Sequence, residues 1–221
     1  IKEINKSLNK NGFLMLEVPD HDMNYENIDY SFWEEHVNYF NLKTLELLLQ
    51  NNNLRILHHE TTLYSGKAII IFAEKNKKKL KFSMSSKDNF NKINNYKKTF
   101  KVFKKQLEEF LKKFKKNIYV YGCGARSCNF VNLVGIGKYI SGFVDDNKHK
   151  QNKYVPYSNL KIFSPDKVNL DDSVILLGVN TENENAIIKK INTKHVYSIL
   201  PPSTRLPDFW KVMIEKNKFK K

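Results

Sequence analysis

Two glycines in the second half of the chain have the spacing of a phosphate-binding turn. Gly122 and Gly124 follow the apolar run of residues 118 to 121 and precede residues 126 to 134, whose pattern predicts a helix. Backbone N–H groups at a helix N-terminus attract anions, and glycines let a pyrophosphate approach closely. The dinucleotide-binding fingerprint has a third glycine where this chain has Ser127. The turn therefore indicates dinucleotide binding, another kind of phosphate or nucleotide contact, or a purely structural turn.

Acidic residues follow the next predicted strand, which ends at Val144. Asp145 or Asp146 follows the glycines by about 20 residues. In dinucleotide-binding sites an acidic residue at this sequence spacing binds a ribose hydroxyl. The sequence Asp145-Asp146-Asn147 also fits an Asx turn that closes the strand. Both interpretations stay open at this point.

A histidine beside two carboxylates is the second candidate for chemistry. His36 follows Glu34 and Glu35, in a loop beyond the predicted strand at 13–18. Ligand sites in open α/β sheets lie outside the carboxyl ends of strands, and a neighbouring carboxylate orients a histidine ring and favours its use as a general base. Residue types alone favour the alternative, a hydrogen-bonded loop histidine with solvated glutamates.

The cysteines and the other histidines do not predict a metal site. Cys123 and Cys128 are the two cysteines of the chain, and two cysteines need further ligands to hold zinc. His58, His59 and Glu60 lie on a predicted strand, where neighbouring side chains point to opposite faces. Reduced cysteines also favour a cytoplasmic location.

The first third of the chain predicts a helix, a strand, a second helix and a strand pair. Asn41 is a suitable N-cap for a leucine-rich helix, and Gly66 can adopt positive φ between strands at 54–63 and 68–73. Residues 75 to 117 contain neither Gly nor Pro, and their apolar residues recur at helical spacing. This pattern predicts one long helix or two, whose aromatic stripe we expect to pack between domains.

The pattern of residues 118 to 221 predicts a small, doubly wound parallel sheet. Strands at 118–121, 139–144, 173–179 and 197–200 alternate with helical segments. We therefore divide the chain into an N-terminal α/β region at 1–76, an amphipathic helical connector at 77–117 and a Rossmann-like domain at 118–221.

Composition narrows the possible partners. The 221 residues include 38 Lys and Arg against 23 Asp and Glu, a net charge of +15, with 41% hydrophobic residues. This excludes a disordered chain and a disulfide scaffold. The excess is mainly Lys with no basic run interleaved with aromatics, so nucleic-acid binding is not favoured. No apolar segment is long enough to span a membrane, and no signal peptide is predicted.

The order of the pieces resembles the second half of a class I S-adenosylmethionine-dependent methyltransferase and, more narrowly, the sugar C-methyltransferases with their C-terminal domain. In that family a Tyr-His-Glu-His segment precedes a Tyr-Phe pair, and a Tyr-Gly-x-Gly-Ala turn opens the C-terminal domain. A Cys-Gly-Ile or similar segment, a strand ending in Val-Asp-x-Asn-x-x-Lys and a strand ending in Asn followed by Glu come later. The corresponding segments here are Trp33 to His36, Tyr39-Phe40, Tyr121 to Ala125, Val134 to Ile136, Val144 to Lys150, and Asn180 to Glu182.

This resemblance implies a fold, a reaction and a set of site residues. The fold is α/β: the C-terminal part of a methyltransferase Rossmann-like sheet, a helical connector and a second parallel α/β domain. Family members bind a nucleotide-linked keto-sugar between two domains, form an enolate and methylate its carbon. The base falls on His36 and its supporting carboxylate on Glu35. Substrate-binding positions fall on Trp33, Tyr39, Gly122, Gly124, Arg126, Asp146, Lys150 and Asn180.

The chain also departs from the family. Trp33 replaces a tyrosine and Glu34 a histidine, and the family's zinc-binding cysteines are not in this sequence. The glycine-rich loop that binds S-adenosylmethionine is not in it either, so no cofactor-binding residue is assigned. We expect an N-terminally truncated enzyme, inactive by itself, whose sheet at 13–75 presents an uncovered apolar edge. The alternative is a non-catalytic module that binds a nucleotide or nucleotide-sugar.

Overall fold

The computed structural model describes residues 1–29, 36–64, 66–76 and 86–218. The chain forms two compact units. The described part of the first unit is 1–23, 36–64, 66–76 and 86–93, and that of the second is 24–29 and 94–218. Among the described residues, no helix is long and apolar enough to cross a membrane.

The first unit is built on an antiparallel sheet. The helices and strands up to residue 75 are α1 (Lys2–Ser7), β1 (Phe13–Pro19), α2 (Asp22–Asn27), α3 (Leu42–Gln50), β2 (Leu54–Thr62) and β3 (Ala68–Lys75). β3 lies between β1 and β2 and is antiparallel to both. Gly66, between β2 and β3, has a φ of 112°. The predicted strand pair and its glycine turn are therefore confirmed.

Helix α3 begins where the sequence predicts. The Asn41 side chain accepts a hydrogen bond from the Thr44 N–H at 2.9 Å, and the Thr44 hydroxyl accepts one from the Asn41 N–H at 2.9 Å. This reciprocal pair satisfies two N–H groups at the helix start. Leu45 and Leu49 then pack against the sheet.

Strand β1 forms one edge of this sheet. In the described part of the first unit it pairs along its length with β3. Its alternate residues Leu14, Leu16 and Val18 face the core, whereas Phe13 and Met15 are more than half exposed. Phe13 and Met15 therefore lie on the face of the sheet away from that core, and the uncovered apolar edge stays a prediction.

Helix α4 (Ser86–Lys112) spans the boundary between the units. From residue 94 onward its apolar face belongs to the core of the second unit: Phe103 and Leu107 are fully buried, and the Phe103 ring lies 4.4 Å from that of Trp210. The expectation that this stripe packs between domains is wrong for these residues. They cover one face of the parallel sheet, which needs apolar layers on both sides.

The second unit contains the predicted parallel sheet. Its further elements are β4 (Ile118–Tyr121), α5 (Ala125–Val134), β5 (Gly142–Val144), β6 (Ile162–Phe163), β7 (Val174–Leu177), α6 (Thr181–Ile188), β8 (Val196–Ser198) and α7 (Asp208–Lys218). The strand order is β6-β5-β4-β7-β8, and all neighbours are parallel. β5, the next strand along the chain, pairs with one side of β4, and the later strand β7 pairs with the other side. A crevice is expected at the carboxyl ends of β4 and β7, where the strand order reverses.

Candidate functional site

The turn after β4 depends on a glycine for its shape. Gly122 has a φ of 102°, and a Cβ atom there would lie 2.4 Å from Cγ1 of Val179. Gly124 is different, because a Cβ atom there would have no neighbour within 4 Å. Gly124 and Ala125 are exposed, so the N-terminus of α5 is open to solvent. The two glycines therefore have separate roles: Gly122 shapes the turn, and Gly124 leaves space in front of the helix.

Ser127 replaces the third glycine of the dinucleotide fingerprint and ties the turn together. Its hydroxyl donates to the carbonyl of Gly122 at 2.7 Å and accepts from the N–H of Gly124 at 3.1 Å. Gly178, just after β7, provides the room for it, since a Cβ atom on Gly178 would lie 2.8 Å from Cβ of Ser127. Gly178 is not among the predicted residues, although a glycine at a strand end indicates close approach of two backbones.

Asp145 and Lys150 hold the turn from the side of β5. The Cys123 N–H donates to Oδ2 of Asp145 at 2.8 Å, and Nζ of Lys150 donates to the Cys123 carbonyl at 2.8 Å. Asp145 also accepts from the N–H of Asn147 at 2.9 Å, which makes the Asx turn that the sequence allows. Asp145 is buried and supports the main chain, whereas Lys150 stays partly exposed at the turn.

Asp146, in contrast, is exposed. Its Oδ1 accepts from the hydroxyl of Tyr121 at 3.0 Å, and its Oδ2 lies 2.9 Å from Nζ of Lys190. Burial, together with the bond to Asp146, raises the pKa of the Tyr121 hydroxyl, which therefore stays protonated as a donor. Asp146 lies at the carboxyl end of β5 with its carboxylate half open to solvent.

Asn180 lies on the other side of β4, after β7. It is the N-cap of α6, is half-buried, and makes no side-chain capping bond within the described structure. The glycine turn, Asp146 and Asn180 follow β4, β5 and β7, which are neighbours in the sheet. The structure thus brings these predicted residues to one edge of the second unit.

Arg126 is placed differently from the prediction. Its side chain is buried, and its Nη2 lies 2.5 Å from Oδ2 of the buried Asp29 and donates to the carbonyl of Pro201. The hydroxyl of Tyr96 and the ring N–H of Trp210 also bind this segment, through the carbonyls of Asp29 and Asn27. Arg126 therefore anchors residues 24–29 in the second unit, a long-range pairing that no local pattern predicts.

In the first unit, His36 and Tyr39 lie together. Their ring centroids are 6.0 Å apart, and the ring of His21 lies 5.1 Å from that of Tyr39. The His21 N–H donates to the carbonyl of Phe40 at 2.8 Å, which joins the two segments just beyond β1. Burial lowers the pKa of His21, against the opposing effect of two nearby aspartates. His21 is not among the predicted residues, although it comes just after the carboxyl end of β1, where ligand sites occur.

The other predicted residues of this segment, Trp33, Glu34 and Glu35, lie outside the described residues. Within the described residues, no group of three or more His, Cys, Asp or Glu side chains is arranged to hold a metal ion. No described strand of the first unit leads into a glycine-rich turn, since β1 is followed by Asp20-His21 and β2 by the turn to β3.

Comparison with protein families gives two matches. Residues 66–196, more than half of the chain, match the C-methyltransferase C-terminal domain. Residues 1–59 match a methyltransferase domain. A search of curated proteins gave no match.

Proposed function

This chain belongs to the C-methyltransferase family, whose members are S-adenosylmethionine-dependent methyltransferases, and we propose that it acts in the C-methylation of a nucleotide-linked keto-sugar. The observation that carries the proposal is the open space at Gly124 on the carboxyl edge of the parallel sheet. In this proposal the second unit binds the nucleotide part of the substrate, and His36 of the first unit removes a proton.

The diphosphate of the substrate would lie against the N-terminus of α5. The Gly124 N–H is already used by Ser127, the Cys123 N–H by Asp145 and the Cys128 N–H by the Gly124 carbonyl, so the proposed donors are the N–H groups of residues 125 to 127. The partial positive charge of the helix start and the ammonium group of Lys150 favour an anion here. The exposed Gly124 lets the phosphate approach without a side chain in its way.

Hydroxyl groups of the ribose or sugar would bind beside the diphosphate. Asp146 offers a half-exposed carboxylate, an acceptor for two hydroxyls, and Asn180 offers both a donor and an acceptor. We leave Arg126 out of this binding proposal, because its side chain is buried and its Nη2 already binds Asp29 and Pro201.

His36 would accept the proton from the carbon next to the ketone, which leaves an enolate. A carbon acid of this kind needs a base that works near neutral pH, and an imidazole meets that need. Tyr39 lies against His36 and would orient it. Glu35 and Trp33 remain proposed partners from the family resemblance.

The cofactor in this proposal is S-adenosylmethionine, the methyl donor of the family. The described strands of the first unit lack the glycine-rich turn that binds it in the family, so they do not fit the cofactor. We assign no residue of this chain to it and derive no step through it.

Calorimetric titration with uridine diphosphate and thymidine diphosphate tests the nucleotide site. We expect Gly124→Asp to weaken binding by at least about tenfold, because a carboxylate would face the phosphate. Gly124→Asn is the matched control: it has the same size without the charge, and both residues are good N-caps. Native affinity in both variants would place the diphosphate elsewhere.

Proton removal can be tested without the cofactor. A nucleotide-linked keto-sugar incubated in deuterium oxide should gain deuterium next to the ketone with the native protein and much less with His36→Gln. If binding is retained and no exchange occurs with the native protein, the chain is better described as the alternative, a nucleotide-sugar binding module.

A further inference from the structure

Both cysteines of the chain lie at the glycine turn of the second unit. Cys123 lies between Gly122 and Gly124, and Cys128 lies in the first turns of α5. Their Sγ atoms are 3.4 Å apart, and both are free thiols. A disulfide requires about 2.05 Å, so the two sulfur atoms need to close by little more than an ångström.

We propose that Cys123 and Cys128 form a reversible disulfide within the chain when the protein meets a low-molecular-weight disulfide such as oxidised glutathione. The metal alternative is not supported, because within the described residues the two thiols have no third metal-binding neighbour. The proposal does not depend on the substrate of the enzyme.

The exchange takes place in two balanced steps. The thiolate of Cys128 attacks one sulfur of glutathione disulfide, forms a mixed disulfide and releases one glutathione thiolate. The sulfur of Cys123 then attacks Sγ of Cys128 and displaces the second glutathione, while the Cys123 proton passes to the leaving thiolate. The protein loses two electrons and two protons, and one glutathione disulfide becomes two thiols.

The surroundings assign these two roles. The hydrogen bond shared with Cys123 lowers the pKa of Cys128, and the charge of Lys150 acts in the same direction. The same hydrogen bond and burial raise the pKa of Cys123. Cys128 is also the more accessible of the two. It is therefore the attacking thiol, and Cys123 is the resolving thiol.

Lys150 and Asp145 keep the resolving thiol in place. Lys150 donates to the Cys123 carbonyl, and the Cys123 N–H donates to Asp145, each at 2.8 Å. These two bonds fix the main chain on both sides of the Cys123 side chain. Proximity of this kind makes the second step fast compared with the same step in an unfolded chain.

The test uses the native protein, oxidised glutathione and mass spectrometry. We expect the intact mass to fall by two hydrogens. Trypsin cleaves after Arg126, between the two cysteines, so the disulfide should join two tryptic peptides that separate on reduction. In urea the same bond should form at least about tenfold more slowly.

Single variants separate the two roles. Cys123→Ser should retain one glutathione on residue 128, whereas Cys128→Ser should react much more slowly. A stable glutathione adduct on the native protein, a disulfide between two chains, or equal rates in folded and unfolded protein would overturn the proposal. The result with the native protein stands even if a serine variant does not fold.

Discussion

In the first unit the candidate site consists of the rings of His36, Tyr39 and His21, whereas in the second unit it consists mainly of the backbone of a glycine turn and the start of α5. A ring can be replaced without changing the course of the chain. The turn cannot, because it lies between two bonds that join the strand ends: the Cys123 N–H binds Asp145 after β5, and the Gly178 N–H after β7 binds the Tyr121 carbonyl. Chemistry and stability are therefore separable in the first unit and coupled in the second.

The largest effect is expected from His36→Gln in the first unit. Loss of a general base should lower the rate of deuterium exchange next to the ketone of a nucleotide-linked keto-sugar by about 10²–10⁴-fold. The urea unfolding curve should hardly change, because the half-buried ring lies beyond the end of β1. His59→Gln, on an exposed position of β2, is the control and should leave both quantities unchanged. A fall in stability that matches the loss of rate would show that the two are not separable here.

The second unit should show the opposite behaviour at Arg126. Arg126→Met leaves the carboxylate of Asp29 buried without its cation, which should cost about 3–5 kcal/mol of unfolding free energy in urea. Adding Asp29→Asn should restore part of that loss, because the buried negative charge is then removed. If the single variant is as stable as the native protein, the buried pair does not anchor residues 24–29.

The sequence predicts well those features that are local. Asn41 and Thr44 lie three positions apart, and Gly66 lies within its own turn, so neighbouring residues determine both structures. The buried strands of the second unit are also evident as apolar runs, and their alternation with helices predicts the parallel sheet. The helix α2 and the two-residue strand β6 were missed, because they are too short to show a period.

Long-range pairings in the second unit could not be predicted in the same way. The Arg126 and Asp29 pair joins residues 97 positions apart, and the space for Ser127 depends on Gly178 on another strand. The family resemblance placed Arg126 at the substrate, and no local pattern in the sequence indicates its pairing with Asp29 instead. In the first unit His21 lies where the strand-end rule points, so it could have been found from the sequence.

A matched pair of substitutions tests the coupling within the turn. Gly122→Ser places a side chain at positive φ and against Val179, which should cost about 2–4 kcal/mol of unfolding free energy. Gly124→Ser meets no neighbour and provides a better N-cap, so its effect should stay within about 0.5 kcal/mol. Urea unfolding of both variants gives the comparison. Equal costs at the two glycines would mean that Gly124 does not face open space.

The smallest effect is expected from pH and belongs to the first unit. Burial lowers the pKa of His21, so below its ordinary value of 6.5 the unfolded chain binds the proton more readily than the folded chain. Stability should therefore fall as the pH decreases through that region. His21→Gln should reduce this dependence, measured as the difference in unfolding free energy between neutral and mildly acidic solution. His58→Gln, on an exposed position of β2, should leave it as in the native protein. An unchanged pH dependence in His21→Gln would mean that the ring stays as accessible to protons in the folded chain as in the unfolded one.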